Sequence, residues 1–359
     1  MQRNKISFKG QRIFIGIDVH KKNWQVAVLT EAGNAKRISI HASAKELFDF
    51  LHKNYPEGTY QAVYESGFSG FSTYYALKEY GIDCIVVHAA DVPTTQYEEA
   101  MKTDRIDAEK LARSLRSGSV RGIYIREKDN IDDRAVIRIR KTIQKQLGGY
   151  KSRVRHMLHS NGVAIPDRFE KPGTHWSRAF ISWLKDDVVL LSSTRTSLDL
   201  LILQVETIRK TLLNATREMR KLCQAERYKR NFELLMTIPG IGATIAMCIL
   251  TEIYDISRFR NERQFASYLG LIPTCHCSGE KVSHGEKTFR GNKKVGPMLI
   301  EACWVAIYRD TGFGCCYSCY KQRMTGQEAI IRIARKMSNV IFAVLKTGKE
   351  YVPYQFNER

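Results

Sequence analysis

The stretch RIFIGIDVH (12–20) alternates: Ile13, Ile15, Ile17 and Val19 fall on one face, Phe14, Gly16 and Asp18 on the other. That period of two predicts a half-buried strand. NWQVAVLT follows, then a turn at EAGNAK and a third strand at RISIHA, which makes a three-strand meander. The period then changes. SAKELFDFLHKNY places Leu47, Phe48 and Leu51 on one side of a helix that Ser43 caps. QAVYES is a short apolar strand, FSTYYALKEYG a helix closing on Gly81, and DCIVVHA a fully apolar strand. TTQYEEAMKTDRIDAEKLARSLRSG is helical with a break near Lys102, so the first region runs β-β-β-α-β-α-β-α.

Beyond it the apolar positions are helical. A basic helix is expected between 134 and 160, with a weak point at Gly148-Gly149, followed by a linker from Pro166 to Gly173. From Leu198 the steps of three and four become regular through Leu201, Val205, Ile208, Leu212, Ala215, Met219 and Leu222. Such a seam predicts helix-to-helix association of coiled-coil type, within or between chains. In FELLMTIPGIGATIAMCILTEI the PGIG turn between two apolar helices resembles a helix-hairpin-helix, where glycines let backbone N–H groups approach a phosphate. A basic stretch rich in Gly, Ser and His comes next. The pattern divides the chain into 1–130 (α/β), 131–228 (helical linker and coiled coil) and 229–359 (mainly helical), with no internal repeat.

Charge narrows the function. The chain carries 57 Lys and Arg against 37 Asp and Glu, a formal net charge of +20, and the excess recurs along its length. That balance implies a polyanionic partner, nucleic acid first. No apolar run approaches 18 residues, so no membrane span is expected. The N-terminal residues lack the apolar centre of a signal peptide. Nine scattered cysteines point to reduced thiols in a cytoplasmic protein.

Against this charge stand four acids. Asp104 and Asp107, three apart on a helix, project together. Asp18 lies on the first strand and Glu65 ends the fourth, where SGFSG turns the chain back. In a β-β-β-α-β-α-β-α order of ribonuclease H type, the first and fourth strands are neighbours and the last helix crosses their ends, so all four converge. Crowded carboxylates need cations. Hard divalent ions prefer oxygen ligands, and a pair of them can clamp a phosphodiester during displacement. Singly, each acid is an ordinary helix-start or strand-end residue; four at fitting positions predict a metal-dependent site.

GIDVHKKNWQVAV, YESGFSG and KTDRIDAEKLA resemble the N-terminal half of the DEDD transposases of the IS-one-ten and IS-eleven-eleven insertion sequences. IPGIGATIAMCILTEIYDISRF, RQFASYLGLIP and SGEKVSHGEKTFRGNKKVGPMLIEA resemble their C-terminal half. The motifs occur in the family's order over nearly the whole chain. The resemblance implies a ribonuclease-H-like (RuvC-type) domain, a coiled-coil middle and a C-terminal transposase domain. It implies DNA recombination guided by an element-encoded bridge RNA that pairs with target and donor DNA, in dimers that assemble into tetramers, in a bacterial or archaeal cytoplasm at the nucleoid. It maps the four acids onto Asp18, Glu65, Asp104 and Asp107, holding Mg²⁺ (or Mn²⁺), and the nucleophilic serine onto Ser278 in CHCSGEK. On residues alone Ser278 is a turn serine. Cys275 and Cys277 beside it depart from the family pattern. Two alternatives stay open: a junction-resolving nuclease that uses the same acids with water as nucleophile, and a non-catalytic nucleic-acid-binding protein.

Further residues carry expectations. Arg290, Asn292, Lys293 and Lys294 are candidate phosphate contacts, as are Lys141, Lys145, Lys151, Arg153 and Arg155. CHC (275–277) and the Cys316–Cys319 spacing in GCCYSCY admit a zinc site, with buried free thiols as the simpler expectation. Trp24, Trp176, Trp183, Trp304 and Tyr64 are expected to pack in cores.

Overall fold

The computed structural model describes residues 7–101, 103–171, 173–278, 281–287 and 291–353. The chain divides into two compact units, Met1–Ile125 and Arg126–Arg359.

The first unit contains β1 (Arg12–Val19), β2 (Asn23–Thr30), β3 (Ala35–His41), α1 (Ala44–Asn54), β4 (Thr59–Glu65), α2 (Ser72–Glu79), β5 (Asp83–Val87), α3 (Gln96–Ala100) and α4 (Asp104–Arg116). Its sheet has the order β3-β2-β1-β4-β5. The meander β1–β3 is antiparallel, whereas β1–β4 and β4–β5 are parallel, with Ile17 opposite Tyr64. The alternation in β1 sorts side chains between two layers. Ile13, Ile15 and Ile17 are fully buried with Leu47, Leu51 and Leu77 from α1 and α2. Each such residue contributes about 2 kcal/mol of burial. Phe14 packs instead with Ala27, Leu29, Ala108 and Ala112, on the α4 side. Ser43 caps α1, accepting the Glu46 amide at 3.3 Å. The expected break before α4 is present: α3 ends at Ala100, and Thr103 starts α4 by accepting the Ile106 amide at 3.4 Å.

The second unit holds α5 (Lys128–Ser160), α6 (Arg178–Asp186), α7 (Ser192–Gln224), α8 (Glu226–Met236), α9 (Ala243–Ile253), α10 (Glu262–Tyr268), the hairpin β6 (Pro273–Ser278) and β7 (Lys281–Lys287), α11 (Val295–Arg309), α12 (Thr311–Lys321) and α13 (Gly326–Thr347). Three expectations change here. The helix α5 continues through Gly148-Gly149, because intact neighbouring turns outweigh two propensity penalties of about 1 kcal/mol each. The linker region is partly core: Phe169 packs edge-on against Phe180, as does Trp176 just beyond the linker. The apolar seam of α7 is satisfied within the chain, in keeping with the expected helix-to-helix association: Leu198 and Val205 share a core with Leu147, Val154 and Leu158 of α5 and with Trp183 of α6. Further along α7, Met219 and Cys223 join the core built on α9, α11 and α13.

The third change concerns PGIG. Gly240 has φ +87°, and a Cβ there would lie 2.2 Å from the Ala302 carbonyl oxygen of α11. This glycine permits helix–helix contact; its close approach is to protein backbone, where the sequence suggested a phosphate. Among the described residues no helix is long and apolar enough to cross a membrane.

Candidate active site

Asp18 and Glu65 stand at the C-terminal ends of the parallel neighbours β1 and β4. Asp18 lies on the face of β1 that carries Phe14 and Gly16, the face covered by α4. The approach of that helix depends on Gly16. A Cβ at this position would fall 2.0 Å from the Ala108 carbonyl oxygen and 2.5 Å from the Ala112 nitrogen. Only glycine lets α4 lie directly on β1, and this brings the first turn of α4, with Asp104 and Asp107, to the strand end.

The predicted acids come together in two pairs, each bridged by a basic side chain. His20 Nε2 lies 3.0 Å from Asp18 Oδ2 and 3.2 Å from Asp104 Oδ2. Lys110 Nζ lies 2.9 Å from Asp107 Oδ1 and 3.9 Å from Glu65 Oε1. Neither base was singled out from the sequence. Spacing held the signal: His20 is two residues from Asp18 on a strand end, and Lys110 is three from Asp107 on a helix. Burial holds the Asp18 carboxyl above the usual aspartate range; His20 opposes the rise, while Asp104 and Asp107 add to it. The ligand atoms of Asp18, His20 and Asp104 lie within 4.8 Å of one another. An oxygen-rich donor set with one imidazole suits a hard or borderline divalent ion. Tyr64 steadies the Glu65 strand end: its buried hydroxyl donates to the Gly70 carbonyl at 2.9 Å and accepts the Tyr74 amide at 3.2 Å.

The second unit presents a basic cleft of about 580 Å³ between α5, α9 and the start of α11. Arg138, Arg140, Lys141, Lys145, Lys293 and Lys294 line it. The one acid in its wall is Glu252, which is buried. Arg138 holds Glu252 through one guanidinium edge, Nε donating to Oε1 at 2.6 Å and Nη2 to Oε2 at 2.9 Å, and Asn292 Nδ2 donates to it at 3.2 Å. Burial works against the Glu252 charge, yet Arg138, Asn292 and Arg134 hold its carboxyl below the usual range. Burial, with Arg126 and Arg138 nearby, lowers Arg134 to about 10. The cleft therefore keeps a positive surplus after its internal pairing.

The predicted basic residues separate into different surfaces. Lys141, Lys145, Lys293 and Lys294 share the cleft, and Lys141 Nζ donates to the Lys294 carbonyl at 3.1 Å. Asn292 turns inward: Nδ2 reaches Tyr268 at 3.0 Å, while Oδ1 accepts the Lys294 and Val295 amides at the head of α11. Lys151 lies over the Trp176 ring at 5.2 Å, with burial and the neighbouring Arg209 and Arg155 lowering its pKa. Arg153 faces a different groove, with His156 and Ser197. The helical period separates these positions around α5.

Ser278 is the last residue of β6, at the tip of the β6–β7 hairpin. Its side chain, those of Cys275 and Cys277, and Arg290 lie outside the described residues. At the base of the excursion that carries the hairpin, a Cβ on Gly291 would meet the Gly270 Cα at 2.2 Å, so the outgoing and returning chains touch through two glycines. Among the other thiols, Cys84, Cys223, Cys248 and Cys303 are buried, whereas Cys315 and Cys319 are exposed and Cys316 is half-buried, against the expectation of buried thiols in GCCYSCY. The helix α12 turns Phe313 into the core, which leaves Cys315 and Cys319, one turn apart, facing outward. Trp24, Trp176 and Trp183 are buried, and Trp304 packs edge-on to Tyr317.

Two family models match the sequence. One, described as transposase of the DEDD IS110 type, covers residues 15–161; the other, the transposase IS116/IS110/IS902 family, covers residues 232–314. The transposase for insertion sequence element IS1533 of Leptospira borgpetersenii is 26% identical over 91% of this chain and 94% of that protein. A putative transposase of Sinorhizobium fredii is 25% identical over 82% of this chain and 72% of its own length. The pilin gene-inverting protein of Moraxella bovis is 29% identical over 47% of this chain and 49% of that one.

Proposed function

Because this chain belongs to the IS116/IS110/IS902 family of DNA transposases, we propose that it recombines DNA at the four-acid pocket of its first unit, with Ser278 as nucleophile and a bridge RNA as guide. The convergence of Asp18, Glu65, Asp104 and Asp107 on three elements, in a sheet of order 3-2-1-4-5, carries this reading. That strand order, antiparallel for three strands and parallel for two, supports a ribonuclease-H-like (RuvC-type) domain.

The DEDD character of the matching family implies divalent metal use, and the donor set fits Mg²⁺ or Mn²⁺. When bound, such an ion supplies charge neutralisation for the phosphoryl oxygens. The chain's own residues do the rest. Asp18 and Asp104 present carboxylate oxygens beside His20, and Asp107 and Glu65 present theirs beside Lys110. The basic cleft, with Lys141, Lys145, Lys293 and Lys294, holds a phosphodiester backbone by charge. Lys151, Arg153 and Arg155 contribute to binding from other faces of α5.

In the chemical step the Ser278 hydroxyl oxygen bonds to phosphorus and one bridging P–O ester bond breaks. The serine proton leaves and the departing sugar oxygen takes one up. Attack on the phosphoserine by a sugar hydroxyl of another strand reverses the step, so strands are rejoined with no loss of a phosphodiester. The pilin gene-inverting relative fits recombination of this kind. Dimers pairing into tetramers, and a cytoplasmic location at the nucleoid, belong to the same proposal.

The test uses purified protein with the element's non-coding RNA, labelled target and donor DNA and Mg²⁺, followed on denaturing gels. A protein–DNA adduct that disappears in Ser278→Ala and in Asp104→Ala, and with chelator, is expected. Cutting that survives in Ser278→Ala without any adduct would instead establish a water-using nuclease.

A further inference from the structure

Two basic side chains divide the four acids into pairs. His20 bridges Asp18 and Asp104 at 3.0 and 3.2 Å, and Lys110 joins Asp107 at 2.9 Å to Glu65 at 3.9 Å. The bridging cations differ in exposure: the His20 side chain is 48% exposed and the Lys110 side chain 11%. The carboxylates do not sort the same way, with Asp18 at 26% and Glu65 at 35%. One pair is bridged at the surface, and the other by an inner cation belonging to the chain.

We propose that Lys110 is a positioning residue, an internal counter-ion that holds Glu65 and Asp107 in place, so that this inner pair takes no divalent ion of its own. The ion then goes to the outer group, Asp18, His20 and Asp104. This rests on the metal reading of the pocket given above and departs from the two-ion arrangement that four acids suggest.

Three observations support it. A magnesium ion on Asp107 Oδ1 would sit about 2.1 Å from that oxygen and would share it with the Lys110 ammonium at 2.9 Å, a charge of the same sign. Lys110 is three residues from Asp107 on α4, so the helix itself sets the cation against the carboxylate. Among the described residues, the group whose ligand atoms lie close enough for shared coordination is Asp18, His20 and Asp104, without Glu65 or Asp107. An imidazole nitrogen can be a ligand, whereas an ammonium carries only donors and competes with a metal.

The experiment is a Mn²⁺ titration of the full chain free of nucleic acid, with unbound Mn²⁺ read by electron paramagnetic resonance. The wild type is expected to bind one ion, Lys110→Arg one and Lys110→Met two. Independently of whether Lys110→Met folds, Asp104→Asn should weaken the single ion at least about tenfold, because even an outer-shell partner of a metal ligand is worth about that much, and Asp107→Asn should weaken it clearly less. Two ions on the wild type, or equal losses in the two aspartate variants, would overturn the assignment of Lys110 while leaving the metal site standing. No bound Mn²⁺ in the wild type would overturn both together.

Discussion

Gly16→Ala tests how the acid pocket is assembled. The added methyl group would stand 2.0 Å from the Ala108 carbonyl oxygen, 2.5 Å from the Ala112 nitrogen and 3.0 Å from Leu111 Cβ. Two of these three neighbours are helix backbone, which cannot rotate away as a side chain can. Relief to an ordinary contact requires α4 to move off β1 by about 1 Å, and overpacking of that kind costs about 3 kcal/mol. For a unit of this size, that lowers the melting temperature by about 10 °C. The same shift separates Asp104 and Asp107 from Asp18, and a misplacement of about 1 Å at a reacting centre costs about a hundredfold in rate. Calorimetry of the full chain should show the N-terminal transition lowered and that of the helical unit unchanged. Strand cleavage, assayed below the new transition, should fall about a hundredfold. A variant with wild-type melting and wild-type cleavage would refute the direct seating of α4 on the strand.

Three further perturbations have definite signs. Gly148→Ala has open space for its methyl group and sits in a continuous helix, so it should raise the urea midpoint of the helical unit, worth about 1 kcal/mol. Glu252→Ala leaves Arg134 and Arg138 without their shared carboxylate, and loss of such a buried partner should cost about 3 kcal/mol in the same unfolding assay. Asp18→Asn should abolish cleavage yet raise the metal-free melting temperature near neutral pH. The folded-state pKa of Asp18 is raised, so the protonated form favours the fold. That stability is present below the ordinary value of 3.8 and is lost as the pH rises through the folded value. The advantage of the Asn variant should therefore vanish in acid, and a variant that melts lower at pH 7 would contradict the burial of this carboxyl.

Much of the first unit is legible in the sequence because its periods are clean. Ile13, Ile15 and Ile17 announce a strand, and the change of period at Ser43 announces a helix. The acids could be placed because strand order and a three-residue helical step fix which side chains meet. His20 and Lys110 stayed hidden, since a histidine near a strand end and a lysine in a helix are common, and only tertiary geometry sets them between carboxylates. Gly240 misled for a related reason: a glycine that lets something approach does not say what approaches. Glu252 was passed over as well, although a single carboxylate inside the apolar run AMCILTEI asks for a buried partner. The five basic residues of α5 read as one patch in one dimension, but a period of 3.6 distributes them around the helix.

The crossing of Gly270 and Gly291 has a bearing on engineering. A chain that departs and returns through touching glycines has already closed its loop at the neck, so the length of what lies beyond costs the rest of the unit little. The neck is fixed on the protein side as well, by the Asn292 amide donating to the Tyr268 carbonyl at 2.7 Å. Residues 273–287 then behave as an interchangeable cassette. A short turn grafted at the neck should leave the helical unit folded while removing Ser278, and a hairpin transplanted from a relative should be accepted at the same neck.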